Sequence, residues 1–216
     1  MFREIIDSHR RTTLVYEALQ EVLNMLERAE KMFGVVCSTL LTQEEAVADI
    51  DREDRDINEG EHLVRRLILE HLVINPDRDL PASLALISIV HDVERLGDYA
   101  KNLVELNQWA DLCSGEGKYA DLCREIHGMI APLYGQAAEA LRESDAEVAR
   151  QVMRRHVEVK QRTDEFVVAV MEDAETKREA VLYALASRFL RRTSAHLSNI
   201  ASSVANPLDK VTGKEA

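Results

Sequence analysis

Apolar residues return at three- and four-residue spacing along nearly the whole chain, and alternating β-branched runs are absent. That period belongs to amphipathic helices, so the expected fold class is all-α. Breaks in the pattern divide it. Gly34 to Thr42 interrupts the first helical segment. Asn75 to Pro81 reads as a loop, because a residue before proline is pushed out of the helical region. Ser114 to Gly117 is the best candidate linker, Arg142–Asp145 and Asp173–Thr176 are weaker breaks, and Asn206-Pro207 ends the last helix. Six helices follow, in two sets of three. The expected architecture is two tandem three-helix bundles, residues 1–112 and 119–206, with 207–216 as a tail.

The two sets read as an internal repeat. The third helix (His91 to Leu103) aligns with the sixth (Arg188 to Ile200) at an offset of 97, which places Asn102 on Asn199 and Leu103 on Ile200. The second and fifth helices align at an offset of 102, where Ile50, Ile57 and Val64 fall on Val152, Val159 and Phe166. The five-residue difference fits the proline loop, which the second half lacks. The matched apolar rows carry this alignment more than identity does.

In the second helix, residues seven apart lie within about 20° of one another around the axis. Ile50, Ile57 and Val64 form one apolar row; Val47, Asp54, Glu61 and Ile68 form its neighbour, which puts two carboxylates at heptad core positions. Asn58 lies one turn beyond Asp54. A buried carboxylate without compensation costs several kcal/mol, so these must be paired, protonated or bound to a metal.

The third helix presents Leu86, Ile89, Val90, Val93, Leu96, Ala100 and Leu103 as its apolar face. Glu94 and Asp98 stand four apart on the edge of that face. Like charges at that spacing destabilise a helix unless a cation lies between them. Gly97 costs about 1 kcal/mol relative to alanine in mid-helix, and its use on a packed side is to let another helix approach closely. Oxygen donors without Cys or His suit hard cations such as Mg²⁺, Ca²⁺ or Mn²⁺, and also iron.

Asp54-x-x-Ile57-Asn58-x-x-Glu61 and Val93-Glu94-Arg95-Leu96-Gly97-Asp98 resemble the two motif stretches of the PhoU family of phosphate-signalling regulators. The resemblance covers almost the whole chain, since that family is built from two tandem three-helix repeats. It implies a cytoplasmic, homodimeric, non-enzymatic adaptor that negatively controls phosphate uptake through a phosphate ABC transporter and a sensor histidine kinase. It also implies a divalent or trivalent metal (Fe, Mg, Mn or Ca), with Glu94 and Asp98 as ligands and Asp54, Asn58 and Glu61 facing them. Two other functions compete: an accessory subunit of a sodium- or proton-coupled phosphate permease, and a ferritin-like di-iron enzyme. The latter needs two Glu-x-x-His pairs. Glu59-x-x-His62 is the one present, so His62 is expected at the surface.

The second half departs from the pattern. Glu94 corresponds to Arg191, Asp98 to Ala195, Asp54 to His156, Asn58 to Lys160 and Glu61 to Thr163. Cationic side chains at ligand positions repel a metal ion, so the metal is expected in the first repeat only. Competing accounts stand beside the ligand reading. Glu94 and Asp98 could form a solvated edge beside Arg95 and Lys101, and Asp54 and Glu61 could pair with Arg55, Arg65, Arg66 or Lys101. The basic residues Arg154, Arg155, Lys160, Arg162, Arg188, Arg191 and Arg192 read as a mixed surface balanced by Glu158, Asp164 and Glu165, except where the repeat brings Lys160 and Arg191 together. His91 and His196 show no ligand spacing.

Charge sharpens the asymmetry. The formal net charge is −12; residues 1–112 hold 12 basic and 23 acidic side chains, residues 113–216 hold 15 and 16. Such an acidic chain is a poor partner for nucleic acid or an anionic membrane surface. No apolar run approaches the roughly 20 residues that span a bilayer, and the N-terminus lacks the apolar stretch of a signal peptide, so direct membrane insertion is not expected and the placement is cytoplasmic. Cys37, Cys113 and Cys123 show no CxxC spacing and are expected to be reduced thiols.

Overall fold

The computed structural model of the chain describes Phe2 and residues 13–37, 43–109, 112–113 and 115–206, with backbone alone over 43–49. Six helices lie within them: α1 (Leu14–Val36), α2 (Gln43–Ile74), α3 (Leu80–Asn107), α4 (Lys118–Glu143), α5 (Ala146–Asp173) and α6 (Lys177–Ala205). No strand occurs among the described residues, as the periodicity predicts. The expected tail, 207–216, and Val47's side chain lie outside them.

Short polar residues make the tight turns. Thr13 Oγ1 accepts from the Tyr16 amide and caps α1. Asp145 Oδ1 accepts from the amides of Glu147 and Val148 at 2.8 and 3.1 Å, and Thr176 Oγ1 accepts from Glu179, so α5 and α6 start within a few residues of the helix before. Ser144 ends α4 with a left-handed φ of 51°. Pro81 sits in the first turn of α3, where its missing N–H has no partner to lose.

Helices α1, α2 and α3 pack on one another, as do α4, α5 and α6; α3 against α6 and α1 against α4 join the two bundles. A single apolar core runs through both. The rows that define the repeat are its spine: Ile50, Ile57 and Val64, and their counterparts Val152, Val159 and Phe166, are all buried.

The α3–α6 crossing shows the same pseudo-twofold relation. The offset of 97 relates Asp92 to Phe189 and Tyr99 to His196. Asp92 meets His196, with Nδ1 at 2.6 Å from Oδ1, and Tyr99 meets Phe189 with ring centroids 5.9 Å apart. One symmetric pair is therefore polar and the other aromatic. Asn199 also donates to Asp92 Oδ1 at 2.9 Å. His196, which showed no ligand spacing along the chain, thus takes part in a clamp between the bundles.

The thiols require a correction. Cys37, at the end of α1, and Cys113, beyond α3, form a disulfide across 76 residues, and only Cys123 is a free, buried thiol. The spacing rule failed because the pairing depends on where α1 and α3 end in space.

Candidate functional site

The five sequence-predicted residues gather on one seam, where α2 lies against α3. Gly97 sets its depth: a Cβ added there would lie 3.1 Å from Ile57 Cδ1, tighter than ordinary packing. The glycine lets α3 approach the buried Ile57, as expected from its mid-helix position.

The carboxylates stand at the rim of this seam and not in the core. Side-chain exposure is 17% for Asp54, 14% for Glu61 and Glu94, and 33% for Asp98. Asn58 is half-buried beside them. The heptad assignment of Asp54 and Glu61 is therefore half right: their stems follow the apolar row, and their tips reach its polar margin.

Each carboxylate meets a cation of the protein itself. Lys101 Nζ donates to Asp54 Oδ2 at 3.1 Å and lies 3.2 Å from Asp51 Oδ1. The Asp54 hydrogen bond is the main reason the Lys101 ammonium is held above its usual range. Arg65 donates to Glu61 at 2.6 Å, and Arg95 donates to Asp98 at 2.7 Å. These pairings follow the salt-bridging account of the same residues. His62 is exposed, as expected.

His91 is the member that sequence reasoning missed. Its Nδ1 lies 3.5 Å from Glu61 Oε1 and 3.3 Å from Glu94 Oε2. Arg95 Nε donates to its Nε2 at 3.3 Å, which leaves the ring proton on Nδ1 between the two carboxylates. The readable signal was its position three residues before Glu94, one turn along the same face.

Glu94 is the least satisfied of the group. Its Oε2 is buried and accepts no hydrogen bond. Burial first, then the charges of Asp98 and Glu61, push its carboxyl above the usual range, against the opposing pull of Arg95 and His91. The donor chemistry suits a hard cation, and the orphaned oxygen is the natural first ligand. Yet among the described residues no three acidic, His or Cys side chains converge on one ion as they stand. Arg95 and Lys101 engage Asp98 and Asp54 instead.

The matched seam of the second repeat, α5 against α6, is built from different chemistry. His156 Nδ1 lies 2.9 Å from Ser194 Oγ, Ser187 Oγ donates to the Thr163 carbonyl at 2.9 Å, and Arg191 pairs with Asp164. The pairings of Arg155 with Glu158 and Arg162 with Glu165 give the balanced surface expected there. An open groove of about 660 Å³ runs along α5 between Val157 and Asp173.

Fold and site together define an all-helical tandem-repeat protein with one acidic and one basic seam at equivalent positions. A family model for the PhoU domain matches residues 22–106 and again 124–204, and the chain belongs to that family. It is 25% identical to the phosphate-specific transport system accessory protein PhoU homolog of Deinococcus radiodurans, over 86% of this chain and 90% of that one. The Clostridium acetobutylicum protein of the same name is 26% identical over 100% and 98%. Two crystal structures share the fold: PhoU from Pseudomonas aeruginosa (TM-score 0.78, 22% identity, 88% and 95% covered) and the phosphate transport system regulatory protein PhoU from Streptococcus pneumoniae (0.76, 18%, 94% and 97%).

Proposed function

We propose that this chain is a cytoplasmic, non-enzymatic accessory regulator of phosphate uptake, acting as a homodimer on a phosphate ABC transporter and a sensor histidine kinase. The observation that carries this reading is the match of both repeats to relatives named as phosphate-specific transport accessory proteins, over nine-tenths or more of their length. No helix among the described residues is long and apolar enough to cross a membrane, which accords with action from outside the bilayer. Apolar side chains at equivalent positions of the two helical hairpins, Leu69 with Met171 and Leu84 with Val181, are exposed and offer contact area for partners.

In the same reading the acidic seam takes a divalent or trivalent cation on Glu94, Asp98, Asp54, Asn58 and Glu61. The raised Glu94 carboxyl and its unbonded oxygen support this; Arg95 and Lys101 must turn outward as the ion enters.

Affinity capture of the chain from phosphate-replete and phosphate-starved cells tests the adaptor role. Recovery of a phosphate transporter or kinase component is expected in at least one condition, and recovery of neither overturns it. For the metal, elemental analysis of the Asp98→Ala variant should show reduced content, while Ala195→Asp should add none, because Arg191 stands one turn away. Equal content in Asp98→Ala and the parent refutes the acidic site.

A further inference from the structure

The substitutions that remove the acidic site from the second repeat do not leave an apolar seam. They leave His156 and Lys160 one turn apart on α5, with His156 against Ser194 of α6 and Asp164, one turn beyond Lys160, against Arg191. We infer that this α5–α6 seam is a binding site for a tetrahedral oxyanion of the phosphate class, held by Lys160 and Arg191. The inference stands on these residues alone and does not depend on the adaptor role.

Three observations carry it. Ser194 Oγ donates to the Arg191 carbonyl at 2.9 Å, so its oxygen can only accept from His156 Nδ1. That bond fixes the ring and directs Nε2 away from Ser194. Lys160 is exposed, and no carboxylate of the described residues pairs with it. Arg191 is mostly covered (28% exposed), and its charged partner is Asp164, which is itself exposed and lies one turn beyond Lys160. The other nearby carboxylates are engaged: Glu158 by Arg155, and Glu165 by Arg162.

The seam therefore holds two permanent cations, and Asp164 is the one carboxylate among the described residues that pairs with either of them. Burial first, and then the charges of Arg191 and Lys160, hold the His156 imidazole below its usual range. An arginine supplies a planar fork and a lysine a point charge, the usual pair for phosphate oxygens. Lys160 stands at the border of the open groove along α5, whose further lining (Asp164, Glu165, Glu172 and Asp173) is acidic, so the anion is held on the α6 side of Lys160. An anion would displace Asp164 from Arg191 and bridge the guanidinium to the ammonium.

Titration with inorganic phosphate at constant ionic strength, followed by calorimetry and by amide NMR shifts, tests this. Saturable binding is expected, with shifts centred on residues 156–164 and 188–195. Phenyl phosphate as a second probe separates free phosphate from a monoester: equal affinity assigns the shared phosphoryl chemistry, and loss of the ester restricts the site to the free ion. Lys160→Gln and Arg191→Gln should each weaken binding about 10-fold or more, as expected for loss of a charge-assisted contact. Asp164→Asn should tighten it, because the competing carboxylate is gone. Arg192→Gln, the same charge change on an exposed neighbour, should leave the affinity within about twofold, since a screened surface charge contributes little. Absence of saturation with phosphate overturns the proposal. So does an Arg192→Gln loss equal to that of Lys160→Gln, which would mean a diffuse field and no site.

Discussion

The two hairpin seams are the same piece of architecture with opposite electrostatics. In α2–α3, four carboxylates ring a glycine and are held by Lys101, Arg65, Arg95 and His91. In α5–α6, a serine replaces the glycine, and His156, Lys160 and Arg191 replace three of the acidic or amide residues. The apolar row beneath is unchanged: Ile57 and Val159 occupy equivalent positions, and both are buried. The difference teaches that packing and rim chemistry are separable in this fold. The core row sets where the helices lie, and the polar margin is free to change sign.

The largest expected effect concerns a brace that only the first repeat carries. Cys113→Ser removes a cross-link over 76 residues, and loss of that loop constraint should cost about 4 kcal/mol. Urea unfolding with and without reductant checks this; reductant should destabilise the parent and leave the variant unchanged.

A smaller effect contrasts the two matched seam positions directly. Gly97→Val should cost about 2 kcal/mol, because a branched side chain at 3.1 Å from Ile57 forces the helices apart. Ser194→Ala should cost about 1 kcal/mol, the value of a half-buried hydrogen bond lost by His156. Equal costs in parallel denaturant titrations would erase the claim that close approach matters on one side and hydrogen bonding on the other.

An effect as large as that of Gly97→Val is expected at the joint of the two bundles. Asp92→Ala strands His196 and Asn199, which both point at its Oδ1, and should cost about 2 kcal/mol while leaving each hairpin intact. Hydrogen exchange should show faster opening along α3 and α6 and little change along α1–α2.

The smallest effect is a pH dependence. His127, on α4, stacks on Phe33 at 4.3 Å and places Nε2 2.9 Å from that residue's carbonyl; burial holds its imidazole below the usual range. The unfolded chain then binds a proton that the folded chain does not, so stability falls as pH drops below about 6.5 toward the depressed folded value. His127→Gln keeps an N–H donor and removes the titration. Its midpoint should change less between pH 7.5 and 5.5 than the parent's, by under about 1 kcal/mol.

Much of this was legible along the chain. The breaks at residues 34–42, 75–81, 142–145 and 173–176 each overlap a junction between observed helices, because proline, glycine and short polar residues act on their own neighbours. Helix α1 runs on to Val36, α3 starts already at Leu80, and α4 and α5 run on to Glu143 and Asp173. Gly97 was readable because a glycine in mid-helix demands a reason. The motif residues Asp54, Asn58, Glu61, Glu94 and Asp98 do share one seam. What could not be read was how their charges are balanced. Lys101 stands 47 residues from Asp54, and the pairing depends on the rotation of α3 against α2.

The sequence by itself determined the helical class, the six elements, the twofold repeat and the rows that face the core. Those features rest on a period of 3.6 residues, which is local. Only the tertiary structure decided that Asp54 and Glu61 stop at the rim, that His91 stands between two carboxylates, that Asp92 meets His196 across 104 residues, and that Cys37 reaches Cys113. Such contacts are set by crossing angle and axial rotation of whole helices, to which every core side chain contributes and which no single stretch of chain encodes.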